Sequence, residues 1–283
     1  MKNITTKDEA LAPVVAFLLL LMIVGSFFSL LNVYYIPSLK QQEEVKHLSE
    51  VEEMFCSITG DLTSLTMLQR DSSLQERISL GGGAVSFSPV TSSGTLQIEE
   101  IEFLKLIIET STGEPTPDPI FINTTRIIYK PIGNFWVDQG YLWENGLVYV
   151  TKGSNSVGGV RSTLLEYATE SDAKAKQAKE FFIKSVLMPQ FLTSTSLVTY
   201  NIAADPESLF RSGNGKSGIN LFQNAIARKT TIINNVTSVV LRQAKLIDPD
   251  LNDLIETWNS KIPSFDGSTS LTVEEFNIIV QVA

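Results

Sequence analysis

Residues 13–31 read PVVAFLLLLMIVGSFFSLL and form the centre of a longer stretch, residues 10–39, in which no residue carries a charge. A helix needs about 20 mainly apolar residues to cross the hydrocarbon of a bilayer. A cleaved secretory signal is usually shorter, with an apolar region of about 7–15 residues followed by a small-residue cleavage site. The stretch therefore predicts a retained transmembrane helix, over residues 11–36, that acts as a signal anchor.

The flanks of this stretch bear on how the helix sits in a membrane. Tyr34 and Tyr35 close the apolar run, and tyrosines are typical anchors at the membrane–water interface. Lysines are equally frequent on the two sides, so the positive-inside rule decides little beyond the initiator amine. We expect a single-pass protein of the cell membrane, with the N-terminus in the cytoplasm and the C-terminal domain outside.

The bulk composition excludes some classes of function. The chain has 283 residues and a formal net charge of −9, which disfavours nucleic acid as a partner. It contains one cysteine, Cys56, and one histidine, His47. An intramolecular disulfide is therefore impossible, which fits both a reducing compartment and a secreted protein held together by its core. A Ser-His-Asp catalytic triad in the C-terminal domain is excluded as well, because His47 precedes that domain.

After Pro37 the sequence changes from apolar to amphipathic. Apolar residues recur every three or four positions, as on one face of a helix: Val45, Leu48, Val51, Phe55, Ile58, Leu62, Leu65 and Leu68. The segment 37–80 is thus predicted as a stalk helix that continues the membrane helix, with a bend at Pro37. It is either an ordinary surface helix or a stalk that docks a globular head on its apolar stripe.

From Gly81 onward the pattern indicates β-structure, and residues 81–283 are predicted as a β-rich extracellular head. Asn145-Gly146 between two strand-like runs predicts a two-residue hairpin turn. The predicted strands are residues 84–90, 95–109, 120–129, 135–150, 191–202, 219–221, 230–241 and 271–282. Helices are expected at 172–186 and after Asp248-Pro249. The fold class is α+β: a long transmembrane and stalk helix, then a mainly antiparallel, β-sandwich-like head.

Few motifs in the chain point to chemistry. The segment GNGKSG, residues 213–218, would need a glycine where Phe210 stands to be a phosphate-binding loop, so we interpret it as a polar turn. Asp248, Asp250 and Asn252 resemble the start of a calcium loop, but a helix cap explains them better. Cys56 is interpreted as a small packed hydrophobe. We predict no catalytic residue, metal ligand or cofactor, and expect that the protein is not an enzyme.

Two further sets of residues, an aromatic cluster and a pair of sequons, allow more than one interpretation. Trp136, Tyr141, Trp143 and Tyr149 cluster around the hairpin and are expected to be core, although solvent-facing aromatics would favour a binding module. Asn123 and Asn235 lie in N-x-Ser/Thr sequons and are possible glycosylation sites if the head is outside.

The N-terminus, KDEALAPVVAFLLLL at residues 7–21, resembles that of archaeal type IV pilin-like proteins. The membrane-proximal stretch, residues 35–53, is similar to that of a large-headed group from methanogens. The resemblance implies a leader of residues 1–10, cut between Ala10 and Leu11 by a prepilin-type peptidase. It also implies self-assembly through the N-terminal helix. Ala16 stands where many relatives have glycine, and the head is long for a major pilin.

The sequence thus predicts a structural cell-surface protein, either a pilin-like filament subunit or a membrane-anchored protein in adhesion. Its partners would be membrane lipid, further copies of the chain and the peptidase. A membrane-tethered sugar- or protein-binding module is the alternative, and a His-independent hydrolase with paired carboxylates is a more distant one.

Overall fold

A single long helix dominates the N-terminal part of the computed structural model, which describes residues 8–68, 70–83, 85, 88, 91–111, 117–134, 136–152, 162–164, 172–223, 228–245 and 249–283. The helix comprises α1 (Asp8–Leu30), a π-helical turn (Leu31–Tyr35) and α2 (Ile36–Leu68). At 1.5 Å per residue it is about 90 Å long.

The π-helical turn lies directly before Pro37. The Ile36 N–H donates to the Leu31 carbonyl, five residues back rather than four. A proline has no N–H to donate, and its ring crowds the carbonyl one turn earlier. The wider turn gives that ring room, so the helix continues through Pro37 as the sequence predicted.

The rest of the chain is a large β-sheet with two short helices. The helices are α3 (Asp172–Phe182), extended by a second π-helical turn (Ile183–Leu187), and α4 (Pro249–Asn259). The strands are β1 (Ser72–Ser79), β2 (Ser93–Thr110), β3 (Ile120–Ile132), β4 (Gln139–Glu144), β5 (Leu147–Lys152), β6 (Ser162–Leu164), β7 (Gln190–Thr193), β8 (Ser196–Ala204), β9 (Phe210–Gly213), β10 (Lys216–Gln223), β11 (Lys229–Gln243) and β12 (Thr269–Val282).

Hydrogen bonds join these strands into one sheet in the order β1-β10-β12-β11-β2-β3-β4-β5-β6, with β8 beside β12, β7 beside β8, and β9 beside β2. Among the described residues the ladders are antiparallel except for β8 with β12. The expected fold class, α+β with a mainly antiparallel head, is confirmed. The Asn145-Gly146 hairpin is confirmed too, with φ of 51° and 83° at its two turn residues.

The apolar face of α2 lies in the core of the head. Seven residues of that face are buried against the sheet: Leu48, Val51, Met54, Phe55, Ile58, Leu62 and Leu65. Full burial of such a side chain contributes about 1.5–3 kcal/mol. The structure therefore shows α2, which forms one continuous helix with α1, packed on the head through its apolar stripe.

The structure corrects two of the predicted elements. The stalk helix ends at Leu68 rather than at residue 80, because residues 72–79 form β1 and pair with β10. Segment 191–202 contains two strands, β7 and β8, joined by a turn.

Of predicted strand 84–90, the structure describes only Val85 and Ser88, which form an isolated bridge. The N-cap Asp248 lies outside the described residues.

Candidate functional site

The first half of the long helix is a bare apolar surface. Every side chain from Pro13 to Leu30 is exposed to solvent, and so are Val33, Tyr34 and Tyr35. This helix is long and apolar enough to cross a membrane. Soluble monomers rarely expose contiguous apolar surface on this scale. By length and composition, the segment is therefore a candidate for a single membrane span or a signal sequence.

A buried polar cluster begins where the head meets the helix. Lys40, Glu44 and His47 follow the exposed tyrosines at helical spacing and are all buried. The Glu44 carboxylate accepts the backbone N–H of Val137 at 2.7 Å and that of Trp136 at 3.3 Å. The loop between β3 and β4 is thereby fastened to α2 by a charged acceptor, which gives the stronger kind of hydrogen bond.

His47 fastens a second segment to the same end of α2. Its Nε2 lies 2.6 Å from the Ser79 carbonyl oxygen, so Nε2 carries the proton and donates. The ring also packs edge-on against Tyr129, with centroids 6.1 Å apart. A Cβ on Gly82 would lie 2.8 Å from the His47 Cβ, which explains why glycine stands there. The single histidine of the chain is thus a packing and hydrogen-bonding residue.

Further along α2, buried hydroxyl and indole groups join the helix to the sheet. Tyr141 donates to the Glu52 carboxylate at 3.2 Å, and the Trp143 indole donates to the Thr59 hydroxyl at 2.9 Å. Burial raises the pKa of the Tyr141 phenol far above its usual range. Tyr141 therefore stays a neutral donor. Directional bonds as well as apolar packing join the helix to the head from Glu44 to Thr59 of α2.

The structure places the predicted aromatics in two environments. Tyr141 and Trp143 are fully buried, as the core prediction required, and Trp143 packs edge-on against Phe182. Trp136 is 44% exposed in the loop before β4. Burial of Trp143 removes one of the two aromatics that would have favoured a binding module.

The other residues singled out from the sequence are dispersed. Cys56 is exposed on α2, so its interpretation as a packed hydrophobe was wrong. Ala10 and Leu11 lie within α1, and their side chains are outside the described part of the structure. The segment 213–218 contains the turn, residues 214–215, that joins β9 to β10.

The two sequons lie in the sheet. Asn123 is in β3, where its side-chain amide donates to Glu100 and its backbone N–H donates to Asn201. Asn235 has a φ of 57° at a bulge in β11, and its carbonyl accepts from Ser111. Glycosylation at either position remains a prediction.

A pair of carboxyl groups escaped the sequence analysis. Asp61 of α2 faces Glu76 of β1, and burial together with the charge of Glu76 raises the pKa of Asp61 to about 6. Residues 61 and 76 are brought together only by the docking of α2 on β1.

In the described ranges no group of three or more His, Cys, Asp or Glu side chains could hold a metal ion. Asn252, from the predicted calcium-like segment, instead accepts a hydrogen bond from Gln243.

The raised pKa of Asp61 predicts a pH-dependent stability. The folded-state pKa of about 6 exceeds the ordinary aspartate pKa of 3.8, so the protonated form stabilises the fold. This contribution is complete below pH 3.8 and is lost as the pH rises through 6. Because Asp61 is only partly buried, solvent screening reduces the effect, and we expect about 1 kcal/mol. Replacing it by asparagine should add about that much at pH 7, measured by denaturant unfolding of the full chain in detergent.

The control for this prediction is Asp253→Asn, on the exposed face of α4. It should leave the pH profile of unfolding unchanged, whereas Asp61→Asn should flatten the profile between pH 4 and 7. Equal profiles for wild-type protein and Asp61→Asn would contradict the assignment.

Scans against protein-family models, curated proteins and solved structures find no match to this chain. A long apolar N-terminal helix followed by an antiparallel β-sheet domain is consistent with a pilin-like fold.

Proposed function

We propose that this chain is a structural cell-surface protein of the archaeal type IV pilin-like kind. Its N-terminal helix is held in the membrane or packed against the helices of neighbouring copies in a filament. The head is displayed outside the cell, where it acts in adhesion or as the outer surface of a filament. No catalytic step is part of this function.

One observation carries the proposal: a single helix is bare over its first half and buried in the head over its second. Exposed apolar side chains extend from Val14 to Tyr35, and buried ones from Leu48 to Leu65. Backbone hydrogen bonds are satisfied within the helix, as both lipid and a packed bundle of helices require. Gly25 has open space around its Cα, and such small residues let helices approach closely.

The joint between the two halves supports a structural role. Glu44 and His47 bind head backbone on two different segments, so a pull on the helix is transmitted directly to the sheet. An anchor or a filament subunit needs this coupling, because load on the displayed head must reach the embedded segment.

Processing of the leader tests the proposal. We expect the intact mass and N-terminal sequence of the protein from its native membrane or shed fraction to give a mature chain that starts at Leu11. Ala10→Phe should leave the leader uncut, because the small residue before the cleaved bond is lost. Ala16→Phe, inside the mature helix, should be processed normally and serves as the matched control.

The other outcomes have definite meanings. A chain that begins near Met1 would contradict prepilin-type processing and leave a permanent anchor. A chain that begins after Tyr35 would show an ordinary cleaved signal and would overturn both forms of the proposed function.

A further inference from the structure

Among the described residues at the junction of β3 and β4, two large apolar side chains are exposed to solvent. Ile132, at the end of β3, is 48% exposed, and Trp136 is 44% exposed. Lys130 and Asp138, also exposed, flank the two residues with opposite charges. Single exposed apolar side chains are common on protein surfaces, so it is the position of these two on the molecule that bears on their role.

This loop lies at the end of the head nearest to the apolar helix. Glu44 binds its backbone at Val137, while Tyr141 and Trp143, later in the hairpin, meet Glu52 and Thr59. The hairpin therefore runs along α2 away from the apolar half of the helix. The loop between β3 and β4 is the part of the hairpin nearest to that apolar half. Helical side chains tilt toward the helix N-terminus, so the Glu44 carboxylate meets the loop on the side nearer to the apolar half.

The distance from the loop to the membrane anchors is short. Glu44 follows the exposed Tyr35 by nine positions (44 − 35), which is a rise of about 14 Å. The headgroup region of one leaflet takes up about 5–7 Å of this, and a tryptophan side chain extends several ångström more. Membrane helices tilt by about 20° on average, which lowers one side of an attached head toward the lipid. The π-helical turn at Leu31–Tyr35 and Pro37 supply a place for bending between anchor and head.

We propose that Ile132 and Trp136 insert into the interface of the bilayer that holds the helix, so that the head rests on the membrane through this loop. The inference depends on the membrane-anchored form of the proposed function. The chemistry fits a lipid surface, since tryptophan is enriched at membrane–water interfaces, where its ring is half in each phase. Because Lys130 and Asp138 cancel in charge, the contact is apolar and should change little with salt.

Quenching by brominated lipid tests this contact directly. The full chain is reconstituted into phosphatidylcholine vesicles whose acyl chains carry bromine near the headgroup. Of the three tryptophans, Trp143 is fully buried, and Trp258 stacks on Phe191 and donates to the Pro189 carbonyl. We expect brominated vesicles to lower the total emission by up to about a third, the share of one interfacial tryptophan among three. Trp136→Phe should abolish the loss.

Ile132→Ser, which leaves all three tryptophans in place, should reduce the quenching at least twofold because the loop loses half of its apolar contact. Phe210→Ser, at an exposed position on β9, is the matched control and should leave quenching unchanged. Resistance of the reconstituted chain to alkaline extraction is measured in parallel. Loss of the chain on extraction would overturn the anchored form of the proposed function, whereas a retained chain without quenching would overturn only the docking of the loop.

Discussion

Replacing Phe55 by alanine is expected to lower the free energy of unfolding of the head by about 3–5 kcal/mol. Phe55 is fully buried at the centre of the α2 face that packs on the sheet, and its ring lies 5.9 Å from that of Tyr141. Truncation would remove its contacts and leave a cavity between helix and sheet.

The measurement is denaturant unfolding of the full chain in detergent micelles, followed by tryptophan emission. Trp143 reports on the docking of α2 because it donates to Thr59 and is completely buried. Met67→Ala is the control, since Met67 lies on the same helix and is 73% exposed, and it should change stability by less than about 0.5 kcal/mol. If Phe55→Ala unfolds at the wild-type denaturant concentration, α2 is not part of the folded core.

Elements fixed by local chemistry could be predicted from the sequence. The apolar spacing of Val51, Phe55, Ile58 and Leu62 persists over several turns, and only a helix puts these residues on one face. Asn145-Gly146 predicted its turn because both positions need positive φ, which asparagine and glycine adopt at least cost.

β1 could not be predicted in the same way. Leu74 and Ile78 are four positions apart, a spacing that fits one face of a strand and one face of a helix equally well. What decides between them is the edge of β10, more than 130 residues away in the sequence. The pairing of Asp61 with Glu76 depends on the same long-range contact, so this pairing could not be predicted from the sequence either.

The polar joint did leave a signal that the sequence analysis missed. Lys40, Glu44 and His47 occupy the helical face that Leu48 and Val51 continue, so they interrupt an apolar stripe with groups that are costly to bury. Such residues on a core-facing stripe indicate backbone partners, and here Glu44 and His47 find them in the loop before β4 and in Ser79. Which segments supply the partners follows only from the fold.

Placing two lysines in the apolar half of the helix is expected to have the second large effect. Leu20 and Val24 are exposed and one turn apart, so Leu20→Lys combined with Val24→Lys puts both charges on one face. Each lysine at the centre of a membrane helix costs about 3 kcal/mol, so the pair together should cost about 6–7 kcal/mol. We expect most of the chain to be lost from the membrane fraction after alkaline extraction.

Two controls separate this effect from damage to the fold. Leu20→Ala with Val24→Ala keeps the segment apolar and should stay in the membrane, and Val45→Lys adds a charge at an exposed position of α2 beyond the anchors. Because the apolar half and the head occupy different parts of the helix, the lysine pair should leave Trp143 emission unchanged in detergent. The same charges would also bar close packing of helices in a filament, since a lysine buried between apolar helices finds no partner there. Normal membrane retention of the double-lysine variant would therefore contradict the membrane span. This holds whether the helix stays in the membrane or is later packed into a filament.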